Sequence, residues 1–190
     1  ILMIEKNLSL VQKEVIVEYD EEGEIKKYPS LELVRIEKKF FNIHKDNSKI
    51  LEYGFGGGCN TEALLDQGHE ITGLDNHNNF YDTSLKISRL ELNNRYKNFF
   101  HYNLNLEDLI KVQNIFKENK FDIVVNLAAQ AGVEFSTINP HAYIDSNITG
   151  FLNILENCYK FKVDHLIYAS SSSVYGLNQS IPFSEASSVD

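Results

Sequence analysis

An alternation of short apolar strands with amphipathic helices, which begins at Lys49, constrains the fold more than any other feature. Segments rich in β-branched and aromatic residues predict five strands, at 50–53, 70–74, 99–102, 121–127 and 165–169. Helical periodicity or helix-start signals predict four helices between these strands, at 60–65, 84–95, 106–119 and 140–159. Asn60 is the expected cap of the first of them. Strands that alternate with helices pair in parallel through right-handed crossovers. The sequence therefore predicts an α/β fold with a doubly wound, Rossmann-like parallel sheet.

The first 48 residues follow a different pattern and show no chemistry. Residues 15–19 predict a strand, residues 25–28 its return strand in a hairpin, and a helix is expected to start at Pro29. We interpret residues 1–48 as an N-terminal appendage of a hairpin and a helix, and residues 49–190 as the nucleotide-binding domain. Because the chain starts at Ile1 and stops in a loop-like tail, we expect a fragment of a longer protein.

The charge and the cysteine content exclude several classes of function. The chain has 18 Lys and Arg against 27 Asp and Glu, a formal net charge of −9, so neither nucleic acid nor a membrane surface is an expected partner. No apolar run approaches the roughly 20 residues that cross a bilayer. Two cysteines make no disulfide framework, and the six scattered histidines have no metal-ligand spacing. A cytoplasmic protein without a metal is therefore expected.

A glycine-rich loop follows the first strand of the alternating region. It contains Gly54, Gly56 and Gly58, and Asp75 ends the next strand about 20 residues on. Glycines let a ligand approach the backbone, a helix N-terminus offers N–H groups to phosphate, and a carboxylate at Asp75 can accept hydrogen bonds from ribose hydroxyls. This pairing predicts a nucleotide-type ligand. The alternative is a structural glycine turn with a capping aspartate.

The spacing of these glycines resembles motif I of class I methyltransferases. The pattern Glu52-x-Gly54-x-Gly56-x-Gly58, within a resemblance that covers about residues 29–75, differs from the dinucleotide fingerprint G-x-G-x-x-G. The resemblance implies S-adenosylmethionine as the ligand. Glu52 and the glycines would then contact its methionine moiety and Asp75 its ribose.

A second series of motifs extends from residue 68 to the end of the chain. In order, it comprises GHEITGLDN at 68–76, FDIVVNLAAQAGV at 121–133, NPHAYIDSN at 139–147, YASSSSVYG at 168–176 and PFSE at 182–185. This series resembles the extended short-chain dehydrogenases that act as NAD-dependent nucleotide-sugar epimerases, above all UDP-glucuronate 4-epimerases and their capsule-polysaccharide relatives. The resemblance implies NAD as cofactor, a nucleotide sugar as substrate, a homodimer, and reversible oxidation at sugar C4.

The epimerase resemblance also implies the site residues. Ser171 would be the catalytic hydroxyl that binds the sugar 4-oxygen, and Asn147 would support the nicotinamide side. The residues expected to bind the cofactor are Gly54, Gly56, Gly58, Asp75, Asn76, Asn103, Leu104, Leu127, Ala128, Ala129, Gln130, Asn147 and Ser170. The small residues after the fourth strand would let a flat cofactor lie on the backbone, and the serines follow the fifth strand at the ligand-binding edge of the sheet.

The sequence departs from the epimerase pattern at several positions. The Tyr-x-x-x-Lys that supplies the family's base does not follow Ser171, so we expect NAD binding without turnover from these residues alone. Asn103 stands where relatives have Asp, and Glu134 where Arg is expected. Ser172 and Ser173 stand where dehydratases have an Asp-Glu pair, which favours an epimerase.

Two alternatives stay open at this point. One is a methyltransferase-like domain that binds S-adenosylmethionine, and the other is a degenerate, non-catalytic Rossmann domain. Because the two resemblances meet at residues 68–75, we also expect a fusion of two genes, natural or from sequence assembly.

Overall fold

A computed structural model describes residues 2–4, 11–12, 47–54, 59–80, 83–178 and 184, and a parallel sheet organises this part of the chain. Its five parallel strands are β3 (Lys49–Tyr53), β4 (Glu70–Asp75), β5 (Phe99–Asn103), β6 (Ile123–Asn126) and β7 (His165–Tyr168). Two short strands, β1 (Leu2–Ile4) and β2 (Val11–Gln12), continue the sheet in antiparallel pairing beyond β7. The predicted α/β, doubly wound fold is confirmed.

The order of the strands sets the position of a binding edge. The sheet runs β2-β1-β7-β6-β3-β4-β5, with Ile50 of β3 paired to Ile71 of β4 on one side and to Ile123 of β6 on the other. The chain therefore builds outward from β3 through β4 to β5, and then returns to the opposite side of β3. In such sheets, ligands bind outside the carboxyl ends of the strands at this point of reversal.

Helices connect the strands and cover both faces of the sheet. They are α1 (Cys59–Asp66), α2 (Thr83–Asn93), α3 (Leu109–Glu118), α4 (Val133–Ile138), α5 (Pro140–Tyr143) and α6 (Phe151–Phe161), with a π-helix at Ile144–Gly150 and a 3₁₀-helix at Ser172–Tyr175. Helix α1 already includes Cys59, so Asn60 lies inside it and the expected cap at Asn60 is wrong. Asp108 caps α3 by accepting a hydrogen bond from the Lys111 N–H at 3.1 Å.

The single helix expected over 140–159 is divided into three parts. Asn139 caps α5 and accepts a hydrogen bond from the Ala142 N–H at 3.3 Å, and Pro140 occupies its first turn. The π-helix follows and ends at Gly150, where an added Cβ would lie 2.6 Å from the Cβ of Leu106. A π-helix shifts the direction of its side chains relative to an α-helix and is frequent at functional sites.

Apolar side chains alternate between the two faces of the sheet and form two core clusters. Ile50 belongs to the cluster beneath α1, and its neighbour Leu51 to the cluster beneath α3 and α6. The first cluster comprises Ile50, Leu64, Leu65, Ile71, Phe99, Ile123, Val125 and Ile167. The second comprises Leu51, Tyr53, Leu74, Leu106, Val112, Ile115, Phe116, Phe121, Val124, Ile154, Cys158 and Leu166. Since each fully buried side chain of this kind contributes roughly 1.5–3 kcal/mol, the two clusters hold the strand ends rigidly in place.

The predicted N-terminal hairpin and helix lie outside the described residues, and the domain boundary at residue 48 stays a prediction. Within the described part, no helix has the length and apolar character needed to cross a membrane.

Candidate functional site

A cleft of about 590 Å³ opens at the carboxyl edge of β3, β4 and β6, where the strand order reverses. Eight of the predicted cofactor-binding residues line it, namely Gly54, Asp75, Asn76, Leu104, Leu127, Ala128, Ala129 and Gln130. These residues come from four separate segments of the sequence. The sheet brings them together because its five parallel strands all end at the same edge.

Gly54 lies where the chain leaves β3 and passes close to the chain leaving β6. Its φ is +69°, and its N–H donates a 2.8 Å hydrogen bond to the carbonyl of Leu74. A Cβ at this position would lie 2.6 Å from both the Cα and the N of Ala128, closer than side chains approach a backbone. Glycine is therefore required here both for its conformation and for its lack of a side chain.

Asp75 ends β4 and presents a nearly buried carboxylate to the cleft. Its Oδ1 accepts hydrogen bonds from the His77 N–H at 2.8 Å and from the Lys86 Nζ at 3.2 Å. The Lys86 Nζ also lies 3.5 Å from the Asn78 Oδ1. Because these contacts use Oδ1, Oδ2 is the oxygen that can accept a hydrogen bond from a ligand hydroxyl.

Two histidines lie beside this carboxylate. The Nε2 atoms of His77 and His101 are 3.1 Å apart, and His77 has a left-handed backbone with φ of +49°. Burial lowers the pKa of His101, the charge of His77 lowers it further, and Asp75 opposes both effects. The lowered pKa favours the neutral form of the His101 imidazole beside His77.

The floor of the cleft is the segment that follows β6. The Leu127 N–H donates to the carbonyl of Tyr53 at 2.9 Å, and the Asn126 Oδ1 accepts from the Ala128 N–H at 3.3 Å. The Asn147 side chain, from the π-helix, bonds both backbone groups of Gln130: its Oδ1 accepts from the N–H at 2.7 Å, and its Nδ2 donates to the carbonyl at 2.9 Å. Asn147 therefore fixes the backbone of the segment that forms the floor of the cleft.

Other predicted site residues lie away from the cleft wall. Asn103 pairs with Asp75 across the β4–β5 ladder but does not line the cleft. Ser170 and Ser171 follow β7 and are exposed, and the Ser171 Oγ accepts a 3.2 Å hydrogen bond from the Ser173 N–H as the cap of the 3₁₀-helix. Gly56 and Gly58 lie outside the described residues.

Several lining residues were not expected from the sequence. They include Asn78, Phe80, Lys86, Asn105, Glu107, His141 and Asp145. An aromatic series borders the cleft: the Phe80 and Phe135 rings meet edge-on at 5.1 Å, and the Tyr143 hydroxyl donates to the Ala131 carbonyl at 2.6 Å. The only feature of the sequence that could have pointed to Lys86 as a lining residue is its place in the first turn of the helix that follows Asp75.

Glu52 is fully buried in the middle of the sheet. The Thr61 hydroxyl donates a 2.6 Å hydrogen bond to its Oε2, and its Oε1 has no hydrogen-bond partner among the described residues. Burial raises the pKa of Glu52 to about 7, and the bond from Thr61 partly opposes this rise. Glu52 does not line the cleft, so the ligand contact implied by the methyltransferase resemblance is not seen.

Comparison with known proteins gives consistent matches over nearly three quarters of the chain, from the end of β3 to the last residue. A family model described as GDP-mannose 4,6 dehydratase matches residues 53–190. Protein CapI of Staphylococcus aureus is 47% identical over 137 residues, which are 72% of this chain and 41% of that protein. UDP-glucuronate 4-epimerase 2 of Arabidopsis thaliana is 44% identical over 138 residues, which are 72% of this chain and 32% of that protein.

Solved structures agree with these sequence matches. The UDP-glucose 4-epimerase of Bifidobacterium longum, in complex with NAD+ and UDP, superposes with a TM-score of 0.62 at 26% identity. That match covers 75% of this chain and 43% of the other. The chain thus spans about two fifths of the first curated relatives' length. The methyltransferase resemblance receives no support, and the family match already begins at residue 53, inside that motif.

Proposed function

The chain belongs to the GDP-mannose 4,6 dehydratase family, and from this membership we propose that it is the NAD-binding part of a nucleotide-sugar epimerase similar to UDP-glucuronate 4-epimerases. The observation that carries the proposal is the Asp75 carboxylate, placed at the end of β4 in a cleft at the reversal point of the sheet. A carboxylate in this position accepts hydrogen bonds from the adenosine ribose of NAD.

The described residues fit a dinucleotide. Asp75 would bind the ribose through Oδ2, and Gly54 would let the cofactor approach the backbone where β3 ends. Ala128 and Ala129 present small side chains beneath a flat ring, and Asn147 holds the segment that follows them. Asn103 does not itself line the cleft, and its expected place near the adenine rests on the family resemblance and on its pairing with Asp75 in the sheet.

The reaction class follows from the cofactor and the serines. When bound, NAD would supply reversible hydride transfer at a sugar carbon. Ser171 would hold the sugar 4-oxygen, and its exposed hydroxyl is accessible for that contact. Ser172 and Ser173, in place of an acidic pair, support epimerisation over dehydration. We expect these residues alone to bind NAD without turnover, since no Tyr-x-x-x-Lys follows Ser171 among them.

The proposal also includes the binding partners, the cellular location and the biological role of the protein. The family resemblance implies a nucleotide-sugar substrate, a homodimer and a role in polysaccharide biosynthesis. The similarity to Protein CapI supports this role. The cytoplasmic location is proposed from the composition, in which two cysteines make no disulfide framework.

Parallel titration with NAD and S-adenosylmethionine, followed by thermal unfolding, tests the proposed ligand. NAD at about 100 times its dissociation constant should add about 2.7 kcal/mol, which raises Tm by roughly 5 to 10 °C for a chain of this size. S-adenosylmethionine at the same concentration should leave Tm unchanged. Stabilisation by S-adenosylmethionine alone, or by neither ligand, would contradict the proposal.

A further inference from the structure

Lys86 forms an ion pair with the carboxylate that we assign to the ribose. It extends from the first turn of α2 and brings its Nζ to 3.2 Å from the Asp75 Oδ1, with both residues lining the cleft. Only 16% of the Lys86 side chain and 7% of the Asp75 side chain are exposed. The Asn78 Oδ1 accepts a second, longer hydrogen bond from the same Nζ at 3.5 Å. The ammonium is therefore fixed at the ribose end of the cleft.

This pairing changes what the cleft can accept at the ribose 2′ position. A lone carboxylate binds a 2′-hydroxyl and repels a 2′-phosphate, which carries about two negative charges at neutral pH. An ammonium next to that carboxylate offsets much of the repulsion, and it can itself bind a phosphate oxygen. The two side chains thus act in opposite directions on the same choice.

We propose that Lys86 is a specificity-determining residue that sets how far the site discriminates a 2′-hydroxyl from a 2′-phosphate on the adenosine ribose. Asp75 selects the hydroxyl and Lys86 moderates this selection, so that loss of the Asp75 charge exposes a latent site for a 2′-phosphorylated dinucleotide. This inference rests on the proposed binding of a dinucleotide and deepens it.

A set of four proteins tests the inference: the unaltered chain, Lys86→Met, Asp75→Asn and the double variant. The probes are 5′-AMP, adenosine 2′,5′-bisphosphate and adenosine 3′,5′-bisphosphate, with affinities measured by calorimetry on the full 190-residue chain. The last two probes carry the same charge and differ only in the position of one phosphate. Thermal unfolding of each variant shows that it is folded. A fifth protein, Lys86→Gln, provides a second substitution at the lysine.

The readout is the ratio of the affinity for 5′-AMP to that for the 2′,5′-bisphosphate. We expect Lys86→Met to raise this ratio at least about tenfold, the size of one charge-assisted contact, and Asp75→Asn to bring it below one. The double variant should lose most of the gain that Asp75→Asn gives the bisphosphate.

Two results would overturn the inference while the proposed function stands. One is that 5′-AMP binds but the ratio of its affinity to that of the 2′,5′-bisphosphate is the same in the unaltered chain and in both Lys86 variants. The other is an equal effect of Lys86→Met on the 2′- and 3′-phosphates, because it would show general attraction of anions. If the unaltered chain binds none of the three probes, the proposed function itself is contradicted.

Discussion

Replacement of Gly54 by alanine is expected to lower the free energy of unfolding by roughly 2 to 5 kcal/mol and to abolish NAD binding. The new Cβ would meet the backbone of Ala128 at 2.6 Å, and the residue would have to keep a φ of +69°. Overpacking against backbone costs about 1 to 3 kcal/mol, and a left-handed conformation costs a further 1 to 2 kcal/mol for a residue with a Cβ. Urea unfolding of the variant, together with NAD calorimetry, measures both effects.

Gly68→Ala is the matched control for this prediction. Gly68 also has a positive φ, +88°, but an added Cβ meets nothing within 4 Å. The control should therefore lose only about 1 to 2 kcal/mol, from conformation alone, and keep its NAD affinity. Equal losses of stability in the two variants would show that β3 and β6 can separate at Gly54, contrary to the described site.

The substitution Glu52→Gln is expected to remove most of the pH dependence of the free energy of unfolding between pH 4.5 and pH 8. The folded-state pKa of Glu52 is raised from 4.5 to about 7, so the folded chain holds this proton more tightly than the unfolded chain does. The resulting stabilisation is fully present below pH 4.5 and is lost as the pH rises through 7. A shift of this size corresponds to about 3 kcal/mol.

Urea unfolding at a series of pH values measures this effect. Glu52→Gln should gain about 3 kcal/mol relative to the unaltered chain between pH 4.5 and pH 8, because the amide carries no charge to bury. Glu70→Gln removes the same charge from the neighbouring strand, where the side chain is 35% exposed and paired with Lys49, and should follow the unaltered chain. Parallel curves for the two variants would contradict an ionisable, buried Glu52.

The five parallel strands could be predicted from sequence because each is a short apolar run whose burial does not depend on details elsewhere. The expected strand at 99–102 is found at Phe99–Asn103, and the one at 121–127 at Ile123–Asn126. The break in the long helix could not be predicted in this way. No proline or glycine precedes Gly150 in the π-helix, and the bonds from Asn147 to Gln130 join residues far apart in the chain.

The site, like the fold, contains residues that could be predicted from the sequence and residues that could not. The ends of β3, β4 and β6 follow from strand prediction, so Gly54, Asp75 and the segment after β6 were predicted and do line the cleft. Lys86 was not predicted, because its contact with Asp75 depends on how the helix after the Asp75 loop packs against β4. The assignments of Ser170 and Ser171 rest on the family resemblance, and their roles stay predictions.

A crystal structure of the chain grown with NAD tests the central claim most directly. We predict NAD in the cleft, with a ribose hydroxyl within about 3.2 Å of the Asp75 carboxylate and a ring of the cofactor against the segment from Leu127 to Ala129. An empty cleft at saturating NAD, or NAD bound elsewhere with Asp75 out of contact, would contradict the assignment of this chain as an NAD-binding domain.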